Sequence, residues 1–525
     1  MNTFVPPVVQ WGALTPVLIV FGAAVVGVLL EAFLPLRVRR GVQTVLAIGA
    51  LGASLVAVGW RWSVVQDSGA SELVGGAVIE DLPALATQMV ILLCSLVGVL
   101  VIADKAGGEE AFAARASAAP GSRYEAMTRE KGLVQTEVFP LTLFAVVGML
   151  VFPTSGTLLT LFIALEVLSL PLYLLTGLAR RRRLLSQEAA LKYFLLGAFA
   201  TGFVLMGIAL LYGYSGSLRL DELAAAVPAT AGMDGLLLAG MAMLLVGLLF
   251  KIGAVPFHNW VPDVYQGAPT PVTGFMAAGT KIAAIMIMMR VVYVVVPGLA
   301  WDFGPMMWVI AIITMVVGTV LAIVQSDVKR MLAFSSVAHA GFLLLGIIAL
   351  EATAIGSMLF YLLAYGLATV GAFALVTLVR ERDVNGNVTG EALSLSQWSG
   401  LGRTNPWLAG SMALFLLSLA GIPLTGGFMG KFTVFAAAVQ GGAWPLVVIA
   451  VLASAAAAYF YVRLIVAMFF TEPRIDAAGR GSTVVVRSEG MTVVAVAVAV
   501  IGTVYLGVLP GPVLDLLDSA AMFLL

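Results

Sequence analysis

The stretch LLFKIGAVPFHNWVPD (residues 248–263) sets Lys251 inside a hydrophobic run and breaks that run at Pro256. A cation in hydrocarbon costs roughly 3 kcal/mol on insertion scales, so this lysine needs a partner or a task.

The chain has 525 residues, 61% of them hydrophobic and 11% charged, with a mean hydropathy of +1.06. An ordinary soluble domain is about 25% charged. The sequence therefore reads as an all-α, polytopic membrane protein, because its apolar runs are too continuous for a transmembrane barrel. About fourteen spans are predicted, at residues 14–34, 42–60, 82–103, 137–153, 156–178, 188–213, 234–256, 270–296, 304–325, 331–349, 354–379, 407–439, 444–470 and 490–510. The start, MNTFVPPVVQWGAL, lacks the basic region of a cleaved signal peptide, so the first span is expected to be retained.

Net charge is zero, with 28 basic and 28 acidic residues, and no basic cluster lies outside the loops, which gives no support to a nucleic-acid partner. The single cysteine, Cys94, excludes an intramolecular disulfide and a Cys-based zinc or iron–sulfur site. The two histidines, His258 and His339, lie far apart in sequence and make no metal motif. No phosphate-binding glycine loop follows a strand-like run. Basic residues recur in alternate loops: Arg37, Arg39 and Arg40; residues 104–137; residues 180–183; Lys329 and Arg330; Arg380 and Arg382; and residues 474–487. The positive-inside rule then puts these loops in the cytoplasm and both termini on the outer face of a bacterial cell membrane. The longest loop, 104–137, reads as a flexible connection.

Five ionisable residues stand out inside the spans: Glu166, Lys192, Lys251, Lys281 and Lys431. Intramembrane charges of this kind mark proton or ion paths. Lys192 has a second reading, because it lies four residues after Glu188 on one helical face and can snorkel to the interface. Burial disfavours an ammonium and a nearby carboxylate favours it, so a changing distance between Glu166 and a lysine would load or release a proton. His258 and His339 are possible relays, with Ser335 and Ser336 placed to hold water; hydrogen bonding between helices is the alternative for all four.

Lys251 and Lys431 share a further property. Lys251 precedes Pro256, and Lys431 follows Pro423, Gly426 and Gly427 in a run too long for one straight helix. Both spans are expected to be broken, as is tolerated at membrane depth only where backbone is buried in protein or lines a cavity. They lie an odd number of spans apart, so equivalent helices run in opposite directions, the trace of an inverted repeat. The chain divides on this basis into residues 1–136, a first five-helix unit at 137–296, a second at 297–475, and a last helix in 476–525.

Three segments carry a resemblance to a known family: FKIGAVPFHNWVPDVYQGAPTPVTGFMAAGTKIA (250–283), QSDVKRMLAFSSVAHAG (325–341) and SLAGIPLTGGFMGKF (418–432). Over residues 10–510 the chain resembles the antiporter-like membrane subunits of bacterial NADH-quinone oxidoreductase, the proton-pumping respiratory complex I. VPDVYQGAPTPVT points to the N-type subunits, and Lys431 stands where the M-type has glutamate. The resemblance implies fourteen helices with two inverted five-helix units. It makes Glu166 the acid of the fifth helix, Lys251 its partner on the broken seventh, Lys281 the central lysine of the eighth and Lys431 the exit-side lysine of the broken twelfth, with Lys192 a further family lysine. It implies a translocase subunit without a redox centre of its own, set among other membrane-arm subunits and lipid. NADH, FMN, iron–sulfur clusters and quinone would be handled elsewhere in the complex. A subunit of a multisubunit sodium/proton antiporter is the alternative. The long 104–137 loop departs from the family pattern.

Overall fold

Hydrocarbon offers no hydrogen-bond partners, so each apolar run must satisfy its own backbone, and this chain does so with helices. The computed structural model describes residues 9–115, 118–119, 122–131, 134–229, 232–382, 386–473 and 483–524. The first half contains α1 (Trp11–Phe33), α2 (Leu36–Ser68), α3 (Leu82–Ala103), α4 (Arg123–Glu130), α5 (Val138–Val151), α6 (Leu158–Thr176), α7 (Arg183–Ser215), α8 (Leu220–Ala229), α9 (Asp234–Ile252), α10 (Trp260–Gly267) and α11 (Thr270–Val295). The second half contains α12 (Ala300–Val324), α13 (Val328–Ile348), α14 (Ala352–Leu378), α15 (Leu401–Thr404), α16 (Pro406–Ala420), α17 (Gly426–Gln440), α18 (Trp444–Phe470), α19 (Met491–Val508) and α20 (Gly511–Asp518).

Helix occupies every one of the fourteen expected spans. Among the described residues, 12 helices are long and apolar enough to cross a membrane. The other two spans are filled by shorter helices: α5, and the broken pair α16 and α17.

The core sits around α11, α13 and α14, which other helices surround almost completely. Helix α11 packs on α14, α3 and α9, and α12 packs on α13 and α18. Outer helices such as α1, α7 and α19 keep large apolar side chains exposed, among them Phe21, Phe199 and Ile501. Apolar surface of that extent suits lipid or neighbouring subunits.

Short strands tie the loops together and sort them by face. Strands β1 (Ser71–Leu73) and β2 (Val78–Glu80) form a hairpin, with Ser71 opposite Glu80. Strands β3 (Val379–Arg382), β4 (Val388–Glu391) and β5 (Thr483–Val485) form an antiparallel sheet in the order β4-β3-β5. Backbone bridges link Ala106 to Ser488 and Phe112 to Ala179, so the described parts of the basic loops gather on one face. The opposite face gathers the β1-β2 hairpin, Ser155, Arg219 and Leu524. Arg61, late in α2 and beside Gly12 at the start of α1, bonds Glu80 there, so both ends of the described chain lie on this face, which is poor in basic residues. Residues 474–482, with Arg474 and Arg480, lie outside the described residues.

The loop expected to be flexible is instead docked where it is described. Glu109 pairs with Arg181 at 2.6 Å, Glu110 with Arg40 at 3.0 Å, and Asp104 accepts from Ser488 at 2.5 Å. Arg183 donates to the Ala118 carbonyl at 2.7 Å. Residues 104–115, with Ala118, thus form a strap fixed by charge pairs and backbone hydrogen bonds, which composition alone did not reveal.

Candidate functional site

The two broken helices share one local device. Gly253 ends α9 in the left-handed region at φ +76°, and Gly421 ends α16 at φ +86°. In each break the next residue closes a six-residue hydrogen-bonded loop: Ala254 to the Leu249 carbonyl and Ile422 to the Leu417 carbonyl. This is the Schellman C-cap, which glycine permits at no steric cost. A helix C-terminus carries partial negative charge on its free carbonyls, so it attracts a cation. Lys251 lies in the last turn of α9. Lys431, from α17, donates to the Leu419 and Ala420 carbonyls that end α16, both at 3.0 Å.

Lys251 is 4% exposed. Its Nζ donates to Ser169 Oγ at 2.8 Å and to the Tyr193 hydroxyl at 3.4 Å. Glu166 makes no direct ion pair with it; the carboxylate accepts instead from Thr201 Oγ1 at 2.8 Å. The expected contact is therefore open here, for a positional reason. Ser169 sits one turn after Glu166 on α6, and its hydroxyl, which donates to the Leu165 carbonyl, occupies the place beside the amine.

Lys192 does not join this buried group. It is 43% exposed and pairs with Glu188 at 2.7 Å and Asp263 at 2.8 Å, while Asp263 also meets Arg330 at 2.8 Å. The snorkelling alternative describes it, because four residues of helix put Glu188 directly beneath it.

Lys281, at the centre of α11, donates to the Ser336 carbonyl and to Ser336 Oγ at 2.7 Å. The Tyr365 hydroxyl donates to the same Ser336 Oγ at 2.9 Å, and the Tyr265 hydroxyl lies 3.5 Å from it. The amine also stands 5.3 Å from the centre of the Tyr365 ring, a cation–π contact. One turn further along α13, His339 bonds the Tyr361 hydroxyl through Nδ1 at 2.7 Å and the Tyr461 hydroxyl through Nε2 at 3.2 Å. Tyr461 in turn meets Ser335. Lys431 completes the row: it bonds Ser454 Oγ at 2.8 Å and sits 4.8 Å over Phe342, whose ring touches His339 at 5.7 Å. His258 stands apart, with Nδ1 buried and unbonded and its ring 6.5 Å from Phe334.

Between Lys251 and Lys281 the link is aromatic. Tyr193 stacks on Trp260 at 4.7 Å, Trp260 meets Tyr265 edge-on at 6.2 Å, and Tyr265 reaches Ser336. The structure thus brings Lys251, Lys281, His339 and Lys431 into one buried row with Glu166 at its flank, and leaves Lys192 and His258 off it.

Several members escaped sequence reading. The tyrosines at 193, 265, 361, 365 and 461 do not stand out in the sequence; their hydroxyls inside apolar runs were the available signal. Three charges within the expected spans were also missed. Arg290 and Asp81 form a fully buried two-pronged pair at 2.8 and 2.7 Å. Arg463 caps the end of α12 through the Ile323 and Gln325 carbonyls. Glu31 receives Arg39, Gln43 and Thr136. Lys329, read as a loop cation, is 2% exposed.

Comparison with known proteins places this geometry. Residues 155–456 match the family described as NADH:quinone oxidoreductase/Mrp antiporter, transmembrane region. NADH-quinone oxidoreductase subunit N of Beutenbergia cavernae is 63% identical over 99% of each chain. A chain of respiratory complex I from Thermus thermophilus superposes with a TM-score of 0.75 at 32% identity, covering 95% of this chain and 98% of that one. A chain of the Mrp complex from Dietzia superposes with a TM-score of 0.77 at 22% identity over 98% and 97%, a likeness of fold. With that identity across nearly its whole length, and with the antiporter-like fold, the chain belongs to the family of NADH-quinone oxidoreductase subunit N.

Proposed function

We propose that this chain carries protons across the membrane as a subunit of NADH-quinone oxidoreductase, through the row Lys251, Lys281, His339 and Lys431. The observation that supports it best is the burial of three amines in one row, two of them at the ends of broken helices. Structural cations need no such row, whereas a relay needs neighbouring sites that can each hold a proton. Lys251 loads from the cytoplasm, Lys281 receives the proton past Tyr265 and Ser336, and Lys431 releases it outward. Glu166 sets the charge of Lys251: when Ser169 is displaced the carboxylate reaches the amine and favours the ammonium, and when Ser169 returns the proton is released inward. His339 relays between Lys281 and Lys431 by accepting a proton at one ring nitrogen and giving one up at the other.

The basic face is cytoplasmic and the sparse face outer, by the positive-inside rule. Units 137–296 and 297–475 act as an inverted pair, a reading supported by the identical caps at Gly253 and Gly421. NADH, FMN, iron–sulfur clusters and quinone are bound by other subunits, and the exposed apolar helices meet lipid and neighbouring membrane-arm subunits.

The test is Lys251→Ala in the assembled complex, with NADH-driven quinone reduction and pumping measured in membranes. Pumping is expected to fall several-fold; full pumping with normal assembly contradicts the relay. A sodium/proton antiporter working without an electron source shares the fold, and purification of the chain in a complex lacking flavin and iron–sulfur clusters would favour it.

A further inference from the structure

On the basic face a cleft of about 50 Å³ opens toward the break between α10 and α11. Glu109, Arg180 and Arg182 line it, together with Thr270, Lys329 and Glu391. The last three are bonded to one another. Lys329 Nζ donates to the Ala268 carbonyl at 3.0 Å and to Thr270 Oγ1 at 2.9 Å, and lies 3.7 Å from Glu391 Oε2. Thr270 donates to the same carboxylate oxygen at 2.5 Å. The lysine side chain is 2% exposed and the glutamate 17%, so the pair spans the boundary between the cleft and the interior.

Helical spacing carries the polar line inward. Ser336 follows Lys329 on α13 by two turns, about 10 Å along one face, and Ser336 is the residue that holds Lys281. On the facing helix, Thr270 and Lys281 are three turns apart, about 16 Å and again on one face. Tyr265 closes part of the interval, with its hydroxyl at Ser336 and its carbonyl accepting from Thr273 at 3.1 Å. None of this passes through Lys251.

We propose that Glu391 and Lys329 form a second proton-loading pair, which takes protons from this cleft and delivers them to Lys281. A proton arriving from water adds to the Glu391 carboxylate. The carboxyl passes it to the neutral Lys329 amine, restoring the carboxylate and forming the ammonium, and the ammonium releases one proton inward toward Ser336 and Lys281. An acid near a buried lysine thus recurs: Glu166 flanks Lys251 without an ion pair, and Glu391 pairs with Lys329. The strap residue Glu109 holds Arg180 and Arg181 at the rim. This inference rests on Lys281 carrying protons, as proposed above.

The experiment compares Glu391→Gln, Glu391→Asp and Lys251→Ala in the full complex in membranes, with pumping and NADH-driven quinone reduction normalised to assembled complex. Glu391→Gln keeps an acceptor for Thr270 but cannot carry the proton, so pumping is expected to fall several-fold, with Glu391→Asp restoring at least half. If Glu391→Gln pumps normally while Lys251→Ala does not, the second pair is overturned and the lysine row stands. If both pump normally, both are overturned. Lower assembly with unchanged pumping per complex marks a structural pair and also overturns the inference. If Glu391→Gln does not assemble, Gly390→Cys decides: a charged thiol reagent in the cleft is expected to abolish pumping relative to the equally treated unaltered complex, and a labelled complex that pumps normally overturns the inference.

Discussion

Lys251, Lys281 and Lys431 are bonded to hydroxyls and backbone carbonyls, and among the described residues none has a carboxylate within 4.0 Å. Neutral partners solvate an ammonium without fixing it, which distinguishes these amines from Arg290. That guanidinium is locked by both oxygens of Asp81 and by the Pro153 carbonyl, and losing either partner of such a pair costs about 3–5 kcal/mol. On the proposed relay the lysines change charge, whereas the arginine is held as a cation. Tyr361 tests the relay at this scale. Its hydroxyl is the nearest partner of His339, at 2.7 Å, and its removal leaves a buried ring nitrogen unbonded at roughly 1–3 kcal/mol. Tyr361→Phe is expected to assemble and to pump several-fold less per quinone reduced, measured by proton uptake into inverted vesicles; unchanged pumping would leave His339 a structural residue. Lys251, Lys281 and Lys431 were legible in the sequence because lysine in an apolar run is costly, whereas Arg290 and Lys329 were passed over. The neighbours of the three lysines were not legible, because a tyrosine in such a run costs little and its hydroxyl partner comes from a helix distant in the chain. Ser169, which separates Glu166 from Lys251, is legible only once α6 and α9 are seen together.

The broken helices are where local backbone chemistry makes the site. Gly421 sits at φ +86°, and a Cβ there would lie 3.0 Å from Cδ of Lys431. Any L side chain in that region costs about 1–2 kcal/mol of backbone energy. Gly421→Ala is therefore expected to lower the thermal stability of the assembled complex and to displace Lys431 from the α16 carbonyls, cutting pumping more than assembly. Equal losses in both would mean that the cap serves the fold alone. Both breaks were legible from proline, glycine and run length. Their shared six-residue caps were not, since the spacing of glycine and lysine differs between them: Lys251 comes before its cap on the same half-helix, and Lys431 reaches back from the next one. The sequence-based reading of residues 104–137 failed for a related reason. Few apolar residues suggested a mobile link, but the described part is held by charge pairs whose partners, Arg40 and Arg181, lie far away in sequence.

Across the whole molecule, two faces of unequal charge enclose a core of α11, α13 and α14. The strap joins the basic loops on one face. Burial pushes the Glu109 carboxyl up, but the Arg181 hydrogen bond and the charges of Arg181, Arg180 and Arg380 outweigh it and hold the group below the usual carboxylate range. A carboxyl depressed on folding stabilises above its unfolded pKa, about 4.3 for glutamate, and loses that contribution as pH falls through its folded value. The pair is half-exposed, so its contribution is within about 1 kcal/mol. Limited proteolysis of residues 104–115 is thus expected to be unchanged between pH 6 and 8 and to rise only below about pH 4, with Arg181→Ala raising it at neutral pH. Sensitivity near pH 7 would assign the docking to other groups. For the molecule as a whole the succession of spans was legible from hydropathy, whereas the cleft above α10 and α11 was not, because six separate segments build it. Lys281 stands at the middle of the row, between the two broken helices. The direct test of the relay is Lys281→Met in the full complex, with protons translocated per NADH oxidised measured in sealed membranes alongside the amount of assembled complex. A fall in that ratio, or loss of pumping and turnover together in normally assembled complex, is expected. An unchanged ratio at unchanged turnover would contradict proton transfer through this chain.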